Sequence, residues 1–188
     1  MSGNEKEQKL VVSKADAATR QLDCAIRLWF SGGDPVSIHT LVGAAYQIIH
    51  DMNKKRDGKD LLFDADFIKE EHRKTVHDLM RRDFNFFKHA DTDTHEVTEF
   101  VPFASIMFML IGIQTLRNLG VRQTDAQMTF GIYMALTRSE YINEEFRALL
   151  LATVPVEYIA DVRGMDKEEF FKLSLQAAAA LRAQGKIP

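Results

Sequence analysis

Cysteine is nearly absent from this chain. Cys24 is the single one among 188 residues, which excludes an intrachain disulfide and a multi-cysteine zinc site. Proline and glycine are also scarce, at four and ten residues, so little of the chain can be low-complexity linker. Neither sign of charge dominates: the formal net charge is −3 and the isoelectric point lies near 6.1. That balance argues against a general binder of nucleic acid or acidic membranes, which carries an excess of Lys and Arg, although it leaves room for a local basic patch. No apolar run is long enough to span a bilayer. The longest, Phe100 to Ile113, is interrupted by Pro102 and Ser105 and reads as a buried helix. The segment Met1-Ser2-Gly3-Asn4-Glu5-Lys6-Glu7 lacks the apolar core of a secretion signal, so a cytoplasmic location and no membrane partner are expected. A Gly-rich phosphate loop, a Gly-x-Ser-x-Gly elbow and a His-Glu-x-x-His pair are all missing, and with them the chemistry they carry.

What is present is globular in composition, 46% hydrophobic and 27% charged, and long enough for one domain with a real core. Thirteen phenylalanines and eight methionines form a bulky apolar stock that fills a core and leaves side chains for the interface of a homo-oligomer. The patterning predicts an all-α, single-domain bundle of about six helices: a flexible tail over 1–12, then one helical domain over 13–188. Ser13 with Asp16 forms a capping-box variant, and Ala18, Leu22, Ala25, Ile26 and Trp29 recur at helical spacing. Cys24 is placed on this apolar face as a small buried thiol. Ser31-Gly32-Gly33 stops the first helix, and Asp34-Pro35 supplies the N-cap and first residue of the second. Ile38, Leu41, Val42, Ala45, Ile48, Ile49 and Met52 then repeat, which predicts an antiparallel helical hairpin.

After a charged loop over Lys54 to Asp60, a third helix is expected from about Asp66 towards His89, ended by the turn residues Asp91-Thr92-Asp93-Thr94. The segment Thr98 to Leu119 is the most apolar helix, closed by Gly120. With Phe103, Ile106, Met107, Phe108, Met109, Leu110, Ile111 and Ile113 it reads as a central helix or a dimer seam. Thr124 and Asp125 open a fifth helix reaching about Arg138, short helices broken at Pro155 and Gly164 follow, and Asp166 caps the last.

The third helix carries the chemistry. At 100° per residue, Val76, Leu79, Met80 and Phe87 fall on one side, and Asp78, Arg82, Asn85 and His89 on the other. Acid, guanidinium, amide and imidazole in one stripe suit a phosphate: Arg offers a bidentate fork, and His a donor or proton shuttle near neutral pH. The bland alternative is the solvated face of an amphipathic helix. Asp83 falls between Leu79 and Phe87 on the apolar face, where a carboxylate must be paired or protonated; His39 and His50 of the second helix are candidate partners, and the sequence does not decide whether either pairs with it.

The segment Arg82-Asp83-Phe84-Asn85-Phe86-Phe87-Lys88-His89 resembles the Arg-x(4–6)-His signature of HEPN proteins, the higher eukaryotes and prokaryotes nucleotide-binding family. The preceding hairpin through Gly32-Gly33-Asp34-Pro35 is similar to the start of many HEPN domains. The resemblance implies a helical bundle that often dimerises and, in active members, metal-independent RNA cleavage by the 2′-hydroxyl. It would make His89 the acid/base group, Arg82 the stabiliser of phosphorane charge and Asn85 an orienting residue, with Lys88 and Asp78 on the substrate. In the commoner family form Arg directly precedes Asn; here Phe84 stands in that place. Asn85-Phe86-Phe87-Lys88-His89-Ala90-Asp91, with His39-Thr40-Leu41, Ala44-Ala45-Tyr46 and His50-Asp51, also resembles uncharacterised bacterial helical proteins, which brings no activity with it.

Two histidine arrangements invite a metal. His50-Asp51 is similar to the dyad of HD-type phosphohydrolases, but His39 and His50 stand about 16 Å apart along a helix axis and cannot share an ion. The run His89-x-Asp91-x-Asp93-x-His95-Glu96 alternates ligand-type residues, against the reading of a solvated turn. No metal or cofactor is expected. Three functions stay open: an RNA- or nucleotide-binding protein or ribonuclease, a non-catalytic helical oligomer acting as an interaction module, and a metal-dependent hydrolase. Whether the chain is an enzyme is undecided at this level.

Overall fold

The computed structural model describes residues 9–56, 81–90, 94–138, 148 and 156–186. Among them the chain is all-α, with no strand. The helices are α1 (Lys14–Phe30), α2 (Pro35–Lys54), α3 (81–86), α4 (Phe103–Asn118), α5 (Asp125–Thr137), α6 (Val156–Gly164) and α7 (Lys167–Ala183). No described helix is long and apolar enough to cross a membrane.

The helix ends follow their capping residues. Ser13 Oγ accepts from the Asp16 N–H at 3.1 Å while the Asp16 carboxylate accepts from the Ser13 N–H, a closed capping box. Asp34 accepts from the Ser37 N–H at 2.7 Å with Pro35 at the first helical position. Thr124 and Asp166 cap α5 and α7 in the same way. Between α1 and α2 the chain reverses through Gly32, whose φ of 70° is left-handed and suits a residue without Cβ. Gly33, next to it, already sits against Leu28, with no room for a side chain that does not push Leu28 aside.

Three pairs of contacts fix the direction of the packing. His39 lies against Ser105, Ile49 against Gly112, and Arg56 Nη1 donates to the Leu119 carbonyl at 2.8 Å. Contacts thus advance together along α2 and α4, and these helices run parallel. A parallel pair needs a long crossover, which is where α3 lies. Asp23 of α1 accepts from Thr124 Oγ1 at 2.8 Å and Gln127 Nε2 at 2.9 Å at the start of α5, while Phe30 meets Phe130 and Tyr133 further on. So α1 and α5 are parallel too. Arg182 grips Asp125 bidentately at 2.9 and 2.7 Å, and Phe170 meets Tyr133, which lays α7 antiparallel to α5.

The core runs through Leu22, Ile26, Phe30, Val42, Tyr46, Ile49, Phe108, Met109, Phe130 and Met134. α1 packs on α2, α4, α5 and α7 and is the hub of the described bundle, while α4, read from its composition as a central helix or a dimer seam, packs on α2 and α1. Several apolar residues of α4, Ile106, Leu110 and Ile111 among them, are only partly buried.

Two boundaries and one burial differ from the sequence expectation. α4 begins at Phe103 and not near Thr98, because Pro102 disfavours helical backbone in the residue before it. The described part of the third helix ends at residue 86, so His89 lies past it. Cys24 is exposed: it lies across the helix from the arc of Ala18, Leu22, Ala25 and Ile26, a face to which 100° per residue never returns it. The proposed start at Asp66, the loop to Asp60 and the breaker at Pro155 lie outside the described residues.

Gly43 is where α2 lets α3 approach. A methyl group there would overlap the Phe84 ring. Gly43→Ala gains about 1 kcal/mol of helix propensity yet must displace a buried ring, and overpacking of this kind costs roughly 1–3 kcal/mol. We expect a net loss of stability in urea unfolding. The Gly43→Ala/Phe84→Ala double variant should cost less than the two singles added, since the ring that clashes is gone. Strict additivity would show that Phe84 does not seat on Gly43.

Candidate functional site

The corner holding the sequence-predicted residues is built around a buried imidazole. His39, on the second turn of α2, is 1% exposed. Its Nδ1 shares a hydrogen bond of 2.8 Å with Ser105 Oγ at the start of α4, and Nε2 has no hydrogen-bond partner among the described residues. Aromatic rings take the place of water around it. Phe84 stacks on the imidazole at 4.1 Å between centroids, while Phe87, Phe100 and Phe108 present edges at 5.8, 4.7 and 6.3 Å. Burial therefore lowers the His39 pKa to about 4, against the opposing pull of the Asp83 carboxylate, with Lys88 adding slightly to the lowering. At neutral pH this is an uncharged core residue.

Phe84 is thus the pin that fastens the end of α3. With its ring driven into the bundle, the neighbouring side chains Arg82, Asn85, Lys88 and His89 are all turned out to exposed positions. Among the described residues no hydrogen bond or ion pair joins one of these side chains to another. Arg82 Nε donates to Asp83 Oδ1 at 3.0 Å and Nη2 to the Glu99 carbonyl at 3.2 Å. Asp83, its side chain 15% exposed, also accepts from Thr98 Oγ1 at 3.4 Å. These bonds form a clasp between α3 and the 96–100 segment, and among the described residues none of them reaches His89. The Asp83 carboxylate, for which His39 and His50 were candidate partners, is paired with its sequence neighbour Arg82 and acts on His39 through space.

Asn85 has a terminating role. Its carbonyl accepts from the N–H groups of Lys88 and His89, at 3.0 Å each, which closes the last turn of α3. Lys88 Nζ sits 5.8 Å from the centre of the Phe84 ring, and partial burial, with Arg81 near by, lowers its pKa. Arg81 donates to Gln47 Oε1 at 2.7 Å, a second tie to α2.

Asp78 lies outside the described residues, as do Asp91 and Asp93 of the alternating run; His95 and Glu96 are exposed. Among the described residues no three His, Cys, Asp or Glu side chains gather as a metal site. His50 is half-buried.

Sequence reasoning missed Phe84, Ser105 and Thr98. The signal for Phe84 was available: it stands three residues before Phe87 on the same face, and a glycine interrupts the apolar repeat of α2 where a large ring can enter. Ser105 carried no such signal, since its partner is 66 residues away. Comparison with known proteins adds nothing to this assignment: no family model, curated protein or solved structure matches the chain.

The His39 cluster makes stability depend on pH in a defined direction. An unfolded histidine titrates near 6.5 and the folded one near 4, so between these values the unfolded chain binds a proton that the folded chain refuses. Stability must fall as pH drops through that window and is insensitive to His39 above it. Lowering the pH from 7 to 5 should cost about 2 kcal/mol through this residue. Urea unfolding of His39→Leu at the same two pH values should show a drop smaller by that amount; an equal drop in both proteins would place the proton elsewhere.

Proposed function

We propose that this protein is a non-catalytic helical module that works through contacts of its surface, with a second copy of the chain as the expected partner. One observation carries the reading. Arg82, the residue that would stabilise phosphorane charge in a nuclease, gives Nε to Asp83 and Nη2 to the Glu99 carbonyl. A group already holding α3 to the neighbouring segment has a structural task. The exposed valines Val97 and Val101 flank this clasp and add apolar surface for a partner.

A second reading is favoured by a different feature. Asn85, Lys88 and His89 are all exposed within five residues of sequence at the end of α3, and amide, ammonium and imidazole are groups that suit a phosphate. It supports RNA or nucleotide binding, or the metal-independent cleavage that the resemblance to HEPN proteins implies, with His89 as acid/base.

Incubating purified protein with structured and single-stranded RNA in EDTA separates the two. No cleavage is expected from the wild type or from the Arg82→Ala/His89→Ala variant. Cleavage by the wild type that disappears in the variant would replace the first reading by the second. The clasp itself is tested by thermal unfolding of Arg82→Ala. Removing a partly exposed pair and its backbone bond should cost about 1 kcal/mol, whereas an Arg82 free for substrate would be lost without effect.

A further inference from the structure

A cleft opens beside the Arg82 corner, on the other flank of the start of α2. It lies between the α1–α2 reversal, the start of α4 and the start of α7, and has a volume of about 340 Å³, within the ~300–1,000 Å³ typical of small-molecule sites. Its walls are Trp29, Pro35, Ile38, Pro102, Phe103 and Ile106. Lys167 brings the one charged side chain among the described lining residues, none of which is an acid.

The ammonium is held in place. Lys167 Nζ donates to the Trp29 carbonyl and lies 4.6 Å from the centre of the Trp29 ring. An ammonium has three protons, and this arrangement uses one of them. Asp166, the carboxylate that acts on this ammonium, accepts from the N–H groups of Glu168 and Glu169 through Oδ1 and makes no hydrogen bond to Lys167. Partial burial lowers the lysine pKa, only partly offset by Asp166, so the charge is incompletely solvated and gains from an anion.

We propose that this cleft binds a small organic monocarboxylate, its apolar body against Trp29, Phe103 and Ile106 and its carboxylate on the Lys167 ammonium. A single cation among apolar walls suits one anionic head on a hydrophobic body. Inorganic phosphate would leave those walls without a partner, and a nucleotide would bring more charge and polar surface than they can satisfy. The site shares no residue with the Arg82 clasp, so it stands whichever reading of that corner holds.

Trp29 is the only tryptophan in the chain, so its emission reports this cleft directly. Full-length protein is titrated with octanoate and benzoate, and in parallel with octan-1-ol, benzyl alcohol and inorganic phosphate. A saturable change with at least one carboxylate is expected. Its affinity should exceed that of the matching alcohol, and of phosphate, by about tenfold or more, the worth of a hydrogen bond to a charged group. Lys167→Met, with its helix content checked by circular dichroism, should lose that advantage while retaining the alcohol's affinity. No saturable response to either carboxylate, or equal affinity for acid and alcohol, overturns the proposal. The acid–alcohol comparison on the wild type decides it even where the variant does not fold.

Discussion

The reversal at Gly32 is the constraint from which the described structure hangs. A left-handed residue followed by an aspartate cap and a proline returns the chain sharply, so α2 starts beside the last turn of α1. The first two turns of α2 then serve two surfaces. Ile38 joins Trp29 in the cleft, and the next residue, His39, with Gly43 one turn on, receives α3. A looser turn would shift both together, because neighbouring positions on one helix cannot move independently.

Polar bonds between distant segments set the register of the remaining helices. Asp23 joins α1 to the cap of α5, Asp125 joins α5 to the end of α7, and Arg163 Nε donates to the Leu136 carbonyl to hold α6 against α5. Apolar packing alone tolerates sliding and rotation, whereas directional bonds at specific depths do not. Asp23 shows the balance of forces at such a link. Its burial raises the carboxyl pKa, while the bonds from Thr124 and Gln127 favour the charged form.

The aromatic end of α1 completes the assembly. Phe30 stacks on Phe171 at 4.4 Å and meets Phe130 and Tyr133 edge-on, while Trp29 meets the latter two from the adjoining position. Consecutive residues on a helix diverge by 100°, so one buries fully in the core and the other stays half-buried, with a ring face for Lys167 and the cleft. The same division appears at α3, where Phe84 goes in and its neighbours go out. Function at the surface here is inseparable from which ring each helix gives to the core.

Much of the fold was legible in the residues because it is local. Caps at Ser13, Asp34, Thr124 and Asp166, the stop at Gly32 and the break at Gly120 all act within a few residues of themselves, and the helices begin and end close to where those signals stand. Side-chain partnership was not legible, because it depends on segments dozens of residues apart. Asp83 was recognised as a carboxylate needing a partner, yet only the packed structure shows that Arg82 turns back to it and that Thr98 joins. His39 was a histidine near the core in the sequence; burial against four rings and Ser105 made it neutral. The sequence by itself determined helices and their ends, through backbone capping and periodicity. The tertiary structure decided which charged groups are spent on structure and which stay exposed, because desolvation and pairing exist only once the helices meet.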